Sequence, residues 1–325
     1  MSVTFSGAFT FSGGGFTATL APPPSVATAG WFGGGFSPGI VSTVDRIIFA
    51  TDTATASVRG PLTATNSKLM ATGSITNGYF GGGYVPSPIA YLSTVNRITY
   101  STDTATASTR GPLSISVSFG AATTDVTTYG WFGGGTGPGT NSALSRVTFA
   151  TDSNTAVNRG SLTISDWWQI AATGNPSYGW FGGGIPQPAK STVNRIDYAN
   201  DTATASVRGP LSSARYGFSA VTDSSTYGWY VSGYGGGWIT TIDRITYAND
   251  TATASVRGPI SSAKYTSAGT CDNTYGWIGG GQSPPGFVLS SIITRITYAT
   301  DTATSTDRGN LSLARSRFAG ASGIQ

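Results

Sequence analysis

The chain has 325 residues, of which only 10% are charged, and its formal net charge is +4. It contains no histidine and no glutamate, so it lacks a Ser-His or Cys-His pair for nucleophilic catalysis and an imidazole ligand for a metal. It also has no lysine or arginine run that would bind nucleic acid and no apolar stretch of about 18 residues that would insert into a membrane.

The N-terminal segment, residues 1–28, precedes the first repeat and forms an extension to it. Met1 to Gly15 has neither the basic start nor the continuous apolar core of a secretory signal peptide, so we expect none. Three roles stay open. Ala8–Gly15 forms an extra strand that contacts a neighbouring subunit, the segment packs on its own domain, or Phe16–Ala21 supplies a strand to the first repeat.

Residues 29–325 consist of six copies of one unit, spaced 49 to 51 residues apart. Each unit contains an arginine, an aspartate six residues later, and a second arginine 13 residues after the first. The first arginines are Arg46, Arg97, Arg146, Arg195, Arg244 and Arg295. The aspartates are Asp52, Asp103, Asp152, Asp201, Asp250 and Asp301, and the second arginines are Arg59, Arg110, Arg159, Arg208, Arg257 and Arg308.

Each unit is predicted to form four short strands, which we label A to D. Strand B is the aromatic segment before a glycine triplet, as in Tyr178–Gly184. Strand C alternates apolar and polar residues, as in Val193–Tyr198. A turn follows, in which the aspartate is expected to bond to backbone two residues ahead. Strand D is the Thr-Ala-Thr-Ala-Ser-Val segment, and strand A is a run of small residues such as Gln169–Thr173.

Four strands repeated six times predict an all-β fold, a six-bladed β-propeller of four-stranded antiparallel blades. The chain ends before a seventh strand B, which leaves Ala314–Gly323 as a strand A without a blade of its own. The first blade, in turn, begins at its strand B with Gly30. We therefore expect the C-terminal strand to join blade 1 and close the ring.

The repeat resembles the kelch repeat over about residues 29–325. The resemblance is carried by Gly-Gly after an aromatic strand, Val-Asp-Arg-Ile-x-Tyr, Asn-Asp-Thr-Ala and Gly-Pro-Leu-Ser-Ser-Ala-Arg. It departs at strand D, where Thr-Ala-Thr-Ala-Ser replaces the segment that usually carries a tryptophan. The Gly-, Thr- and Ala-rich sequence of the repeats is also similar to repeats in virion structural proteins of marine bacteriophages, the cyanophage type especially.

The acidic residues do not indicate an enzyme. Six of the fourteen aspartates are the repeated turn residues, and a residue repeated in every unit is expected to be structural. Kelch-type propellers with a copper site use histidine ligands, and six-bladed sialidases carry Ser-x-Asp-x-Gly-x-Thr-Trp boxes; this chain has neither. We therefore expect no catalysis, no cofactor and no metal.

The repeated arginines are interpreted as structural rather than as a phosphate- or glycan-binding surface. Their fixed separation places them on adjacent antiparallel strands, where we expect them to lie between blades and bond to aspartates or carbonyls. In the first unit these residues are Arg46, Arg59 and Asp52, and in the fourth they are Arg195, Arg208 and Asp201.

A variable position near the channel mouth is a candidate contact site. Seven residues after each second arginine the chain has Asn66, Val117, Asp166, Arg215, Lys264 and Arg315. The next residues are Ser67, Ser118, Trp167, Tyr216, Tyr265 and Ser316. A cation beside an aromatic side chain would bind a sugar or an anion; the alternative is a packing role.

The B–C loops and the D–A connections are predicted to emerge on one face. These loops carry Phe36, Tyr84, Tyr91, Trp238 and Phe287, which either form a contact surface or cover blade edges. The glycine triplets are interpreted as sites of close backbone approach, not as phosphate loops. Cys271, expected in the A–B turn of blade 6, is interpreted as an ordinary small residue.

These observations predict a non-enzymatic structural or display module, a bacteriophage virion protein of the tail, fibre or capsid surface. It would be assembled in the host cytoplasm and contact other structural proteins or copies of itself. One alternative is a carbohydrate-binding or adhesive protein of a bacterial surface, with surface glycans as partners. Another is a filament subunit that donates residues 1–28 as a strand.

Overall fold

The computed structural model describes residues 10–12, 15–17, 27–139, 141–165 and 167–324. From residue 27 onward they form six four-stranded antiparallel sheets around a central channel, which confirms the predicted six-bladed propeller. Thr10–Ser12 and Gly15–Thr17 pair with each other as a hairpin. No helix among the described residues has the length and apolar character needed to cross a bilayer.

The strands are short and recur in the same order in every blade. From blade 1 to blade 6, strand A is Ala319–Ser322, Met70–Gly73, Ala121–Thr124, Ala171–Gly174, Ser219–Thr222 and Ala268–Cys271. Strand B is Ala29–Gly33, Asn77–Gly81, Tyr129–Gly133, Tyr178–Gly182, Tyr227–Val231 and Tyr275–Gly279. Strand C is Val44–Ile48, Val95–Thr99, Ala143–Thr148, Val193–Asp197, Ile242–Thr246 and Ile292–Thr297. Strand D is Ser57–Arg59, Ser108–Arg110, Val157–Ser161, Ser206–Arg208, Ser255–Arg257 and Thr306–Asn310.

The C-terminal strand closes the propeller as predicted. Ala319–Ser322 pairs antiparallel with Ala29–Gly33, so blade 1 takes its inner strand from the end of the chain. All four residues of that strand are buried. Closure therefore does not use Phe16–Ala21 as the inner strand of blade 1. The other proposed roles of residues 1–28 fall largely outside the described residues.

Adjacent blades are joined by a repeated polar clamp. The Asp201 carboxylate of blade 4 accepts hydrogen bonds from Trp131 Nε1 at 2.8 Å and Arg146 Nη1 at 3.0 Å, both in blade 3. Arg159 Nε lies 3.4 Å from the same carboxylate. Likewise Arg46 and Arg59 meet Asp103, Arg195 and Arg208 meet Asp250, and Arg295 and Arg308 meet Asp52 across the closure. In blade 2 a tyrosine, Tyr79, takes the place of the tryptophan.

Aromatic stacking accompanies each clamp. The indole of Trp131 lies parallel to the ring of Tyr198 in the next blade, with their centroids 3.9 Å apart. Trp277 stacks in the same way on Phe49 across the closure, at 3.9 Å. Each aromatic partner begins a 3-10 turn that follows strand C. These turns are Phe49–Thr51, Tyr100–Thr102, Phe149–Thr151, Tyr198–Asn200, Tyr247–Asn249 and Tyr298–Thr300.

Three local predictions were wrong, two of them at the end of each unit. The Thr-Ala-Thr-Ala segment is not strand, because it connects to the preceding blade: Ala205 N donates to Ser161 O at 2.8 Å, and strand D begins only at Ser206. The repeated aspartate does not bond within its own turn, because its carboxylate faces the tryptophan and arginines of the neighbouring blade. Cys271 is the last residue of strand A of blade 6, not part of a turn, and is buried.

Candidate functional site

The loop face is the side of the propeller on which strands D lead into strands A and strands B lead into strands C. In each blade an isolated β-bridge joins these two connections, which confirms that they share a face. The bridges are Phe36 to Ser316, Ser67 to Tyr84, Ser118 to Thr136, Trp168 to Ile185, Tyr216 to Tyr234 and Tyr265 to Gln282.

Three cations predicted to lie at the contact face are buried instead. Arg215 and Arg315 are 0% exposed and Lys264 is 1% exposed. Arg215 pairs with Asp243 at 2.9 Å, and Arg315 pairs with Asp45 at 3.1 Å. These side chains turn back into their blades because the carbonyls there need donors.

Lys264 shows this packing role most clearly. Its Nζ donates to Ile292 O at 3.0 Å and to Gly280 O at 3.4 Å. Burial lowers the pKa of Lys264 to about 8. In blade 2 the uncharged side-chain amide of Asn66 donates to the equivalent carbonyl, that of Gly82, at 2.8 Å. The position therefore needs a hydrogen-bond donor and not a cation.

Trp167 also differs from its prediction. It is fully buried, and its indole donates to Gly183 O. The connection into strand A of blade 4 is one residue longer than in the other blades. Trp168 therefore forms the β-bridge that Tyr216 forms in blade 5, and Trp167 takes the place of Arg215. The alignment through Asp166 was therefore wrong by one residue.

A closed ring of backbone hydrogen bonds surrounds the channel opening on the loop face. One residue per blade contributes, and each amide donates to the carbonyl of the preceding blade at 2.6 to 2.9 Å. All six residues have φ between 53° and 63°, a left-handed conformation that costs non-glycine residues about 1 kcal/mol. We call this set the mouth ring: Lys68, Phe119, Gln169, Gly217, Thr266 and Arg317.

The mouth ring surrounds a cavity of about 80 Å³. Below it, strands A line the channel with small residues such as Ala121 and Ala220. At the opposite end Ile324, which is buried, lines a cavity of about 10 Å³. Among the described residues, the larger of these two cavities is therefore the one at the loop face.

The mouth ring carries two adjacent cations. Lys68 N donates to Arg317 O at 2.6 Å, so the two residues are neighbours in the ring. Burial, and after it the charge of Arg317, lowers the pKa of Lys68. Among the described residues, neither side chain forms an ion pair with a carboxylate. Lys68 Nζ instead lies 3.7 Å from the centre of the Tyr84 ring, and the Arg317 guanidinium lies 5.5 Å from that of Phe36.

Blades 5 and 6 place an aromatic cluster beside the mouth ring. The ring centroids of Trp238 and Phe287 are 4.8 Å apart, and Tyr234 and Tyr265 both lie 5.7 Å from Phe287. Tyr216 lies 5.8 Å from Tyr265 and completes the cluster. Phe287 is 43% exposed, although it is a large apolar side chain. We define the aromatic cluster as these five residues.

Tyr265 links the aromatic cluster to the mouth ring. Its hydroxyl lies 2.9 Å from Gln169 Nε2, across the opening. Its ring passes over Gly217, where an added Cβ would lie 2.2 Å from a ring carbon. Gly217 is therefore the ring residue that makes room for Tyr265.

The predicted loop aromatics thus separate into two groups. Trp238 and Phe287 belong to the aromatic cluster, whereas Tyr84 and Tyr91 contact each other at 5.7 Å in blade 2, beside Lys68. Phe36 lies beneath Arg317 in blade 1. All are on the loop face.

Sequence reasoning missed the mouth ring, although a signal was present. The ring residues lie two positions after the variable site in five units and three positions after it in blade 4, and they differ in all six units: Lys, Phe, Gln, Gly, Thr and Arg. Most other positions of the unit repeat, so complete divergence at one position could have indicated a binding site. The left-handed backbone that aligns these residues is not encoded by a glycine in five of the six cases.

A larger cavity of about 430 Å³ lies away from the channel, at the edge of blade 3. It is lined mainly by small residues such as Ser116, Gly137 and Ala143. Its one charged side chain, Arg159, belongs to the clamp on Asp201. Among its described lining residues the cavity therefore has no cation without a carboxylate partner, unlike the mouth ring.

No protein-family model matches the sequence, and no curated protein is similar to it. Among solved structures, the chain is similar to one titled "Structure of YjhT", with a TM-score of 0.67 and 11% sequence identity. The match covers 86% of this chain and 97% of that one. At this identity the similarity supports the propeller fold and carries no information about ligand or activity.

Proposed function

We propose that the chain is a non-enzymatic display and attachment module whose loop face is its contact surface. The aromatic cluster is the observation that carries this proposal. Exposed rings held on a rigid scaffold are effective contact residues, because little conformational entropy is lost when they bind. The cluster lies on one side of the channel opening, so the contact surface is asymmetric although the blades repeat.

The acidic residues support a role without catalysis. Nearly every described aspartate has a structural partner: six form the clamps between blades, and Asp45 and Asp243 neutralise buried arginines. Asp125, Asp223 and Asp272 each accept backbone hydrogen bonds in A–B turns. Carboxylates used in this way are not available for proton transfer to a substrate.

The resemblance of the repeats to kelch units and to marine phage virion repeats suggests the biological setting. We propose that the module stands on a tail, fibre or capsid surface, contacts other virion proteins, and presents the loop face to a host. A glycan-binding adhesin of a bacterial surface is the second candidate, and the cations beside the aromatic cluster favour it as a mode of recognition. In both settings the loop face is the surface that contacts the partner.

Quantitative mass spectrometry of purified virus particles tests the setting, and a fixed copy number per particle is the expected result. Host adsorption tests the surface: particles with Trp238→Ala and Phe287→Ala should assemble normally but adsorb poorly. Ile75→Ala is the matched control, because it removes an exposed apolar side chain from the opposite face. Equal adsorption of the double variant and the control would contradict the proposed contact surface.

A further inference from the structure

We infer that the mouth ring and the aromatic cluster together bind an acidic carbohydrate, an oligosaccharide that carries a carboxylate or sulfate group. This inference rests on the proposed function, because it names the ligand class of the loop face. It combines two features of the loop face: neighbouring cations that no carboxylate pairs with among the described residues, and an aromatic cluster in which Phe287 is exposed and the other four rings are half-buried.

The cations supply the site for the acid group. Lys68 and Arg317 are half-buried neighbours in the mouth ring, and among the described residues no carboxylate pairs with either. An anion placed between them would relieve their mutual repulsion and accept charge-assisted hydrogen bonds. The cavity of about 80 Å³ beside them has room for one small group, not for a folded segment of another protein.

The aromatic cluster supplies the site for the sugar. The apolar face of a pyranose packs on aromatic side chains, and Trp238 and Phe287 present such a surface next to the opening. Tyr265 also places a hydroxyl at the opening, where it bonds to the side-chain amide of Gln169. A sugar unit that rests on the rings would therefore have polar partners at the opening.

Binding to immobilised polymers tests this inference with the full-length chain. The probes are polygalacturonate for the carboxylate, dextran sulfate for the sulfate, and dextran as the neutral control, at ~0.15 M salt. Lys68→Gln and Arg317→Gln should each weaken binding about tenfold. Gln169 already occupies the same ring position with φ 55°, so glutamine fits this backbone.

Lys190→Gln is the matched control, because it makes the same change of charge in a B–C loop on the same face. It should change the affinity by less than about twofold. Trp238→Ala should weaken binding without altering its dependence on salt, since it removes contact area and no charge. Binding of only one acidic polymer would identify the acid group, and each of these results supports the inference.

The inference is overturned if Lys190→Gln weakens binding as much as Lys68→Gln, since the attraction would then be non-specific. Equal binding of dextran, or no binding of either acidic polymer, would also overturn it. If Trp238→Ala with Phe287→Ala still abolishes host adsorption in that case, the attachment role stands and only the ligand class is wrong.

Discussion

Asp201 illustrates how single side chains hold this propeller together. It is buried and accepts bonds from a tryptophan and an arginine of the preceding blade, while a second arginine lies close by. We expect Asp201→Asn to lower the free energy of unfolding by about 3 kcal/mol, because two partly buried arginines lose their counter-charge. Urea unfolding measures this change.

Asp197→Asn is the control for that measurement. Asp197 lies in the same blade, and among the described residues its partner is the backbone amide of Ala199. Its substitution should cost less than about 1 kcal/mol. Similar losses for the two variants would mean that the clamps contribute no more than ordinary turn contacts.

Lys264 gives a prediction about pH. Its folded-state pKa of about 8 lies below the ordinary lysine pKa of 10.5, so between these pH values the unfolded chain binds more protons. The free energy of unfolding should therefore rise with pH across this window, by about 3 kcal/mol for this group.

Lys264→Met should remove that rise, because methionine fills a similar space without titrating. Chemical unfolding at several pH values between 7 and 10.5 compares the variant with the wild type. Lys190→Met, which replaces a lysine in a surface loop, should keep the wild-type profile. If the free energy of unfolding rises equally with pH in the wild type and in Lys264→Met, the buried amine does not cause the rise.

At the scale of elements, the closing strand is the part of the fold most open to test. Ala319–Ser322 is buried against Ala29–Gly33, and its loss would expose that edge of blade 1. A chain that stops at Phe318 should unfold at a markedly lower temperature than the full chain. Thermal unfolding followed by circular dichroism measures the difference.

A synthetic peptide of residues 319–325, the part that the truncated chain lacks, should restore its stability when added in excess. The same peptide with Gly320→Val should fail, because a side chain there would lie against the carbonyl of Gly269, 2.0 Å from an added Cβ. Rescue by both peptides would indicate non-specific association. Rescue by neither would indicate that closure must occur within one chain.

Strands B and C could be predicted from the sequence because their aromatic and alternating patterns repeat in every unit. Six repeats predicted six blades, and the unpartnered strand A at the end of the last repeat predicted closure through blade 1. The start of strand D could not be predicted, since Thr-Ala-Thr-Ala has the composition of a strand but bonds to the preceding blade. The burial of Arg215 and Arg315 was missed because each depends on an aspartate 28 or more residues away, Asp243 or Asp45.

At the scale of the molecule, the propeller from residue 27 onward forms a closed unit. Thr28 O accepts a bond from Phe49 N at 3.0 Å, so the last residues of the extension belong to blade 1. A chain of residues 27–325 should therefore keep the thermal midpoint of the full chain. Light scattering of both chains also tests the filament hypothesis: if only the full chain forms larger particles, residues 1–26 are the connector. A large fall in the midpoint would mean that those residues complete the fold.

The construction of the mouth ring allows the side chains at the opening to change in evolution while the fold is kept. Main-chain hydrogen bonds close the ring, and the clamps that join the blades are nearly the same at every boundary. Exchange of one blade for another would therefore preserve the scaffold while replacing one sixth of the opening. A lineage built in this way could acquire a new ligand in single steps, without passing through unfolded intermediates.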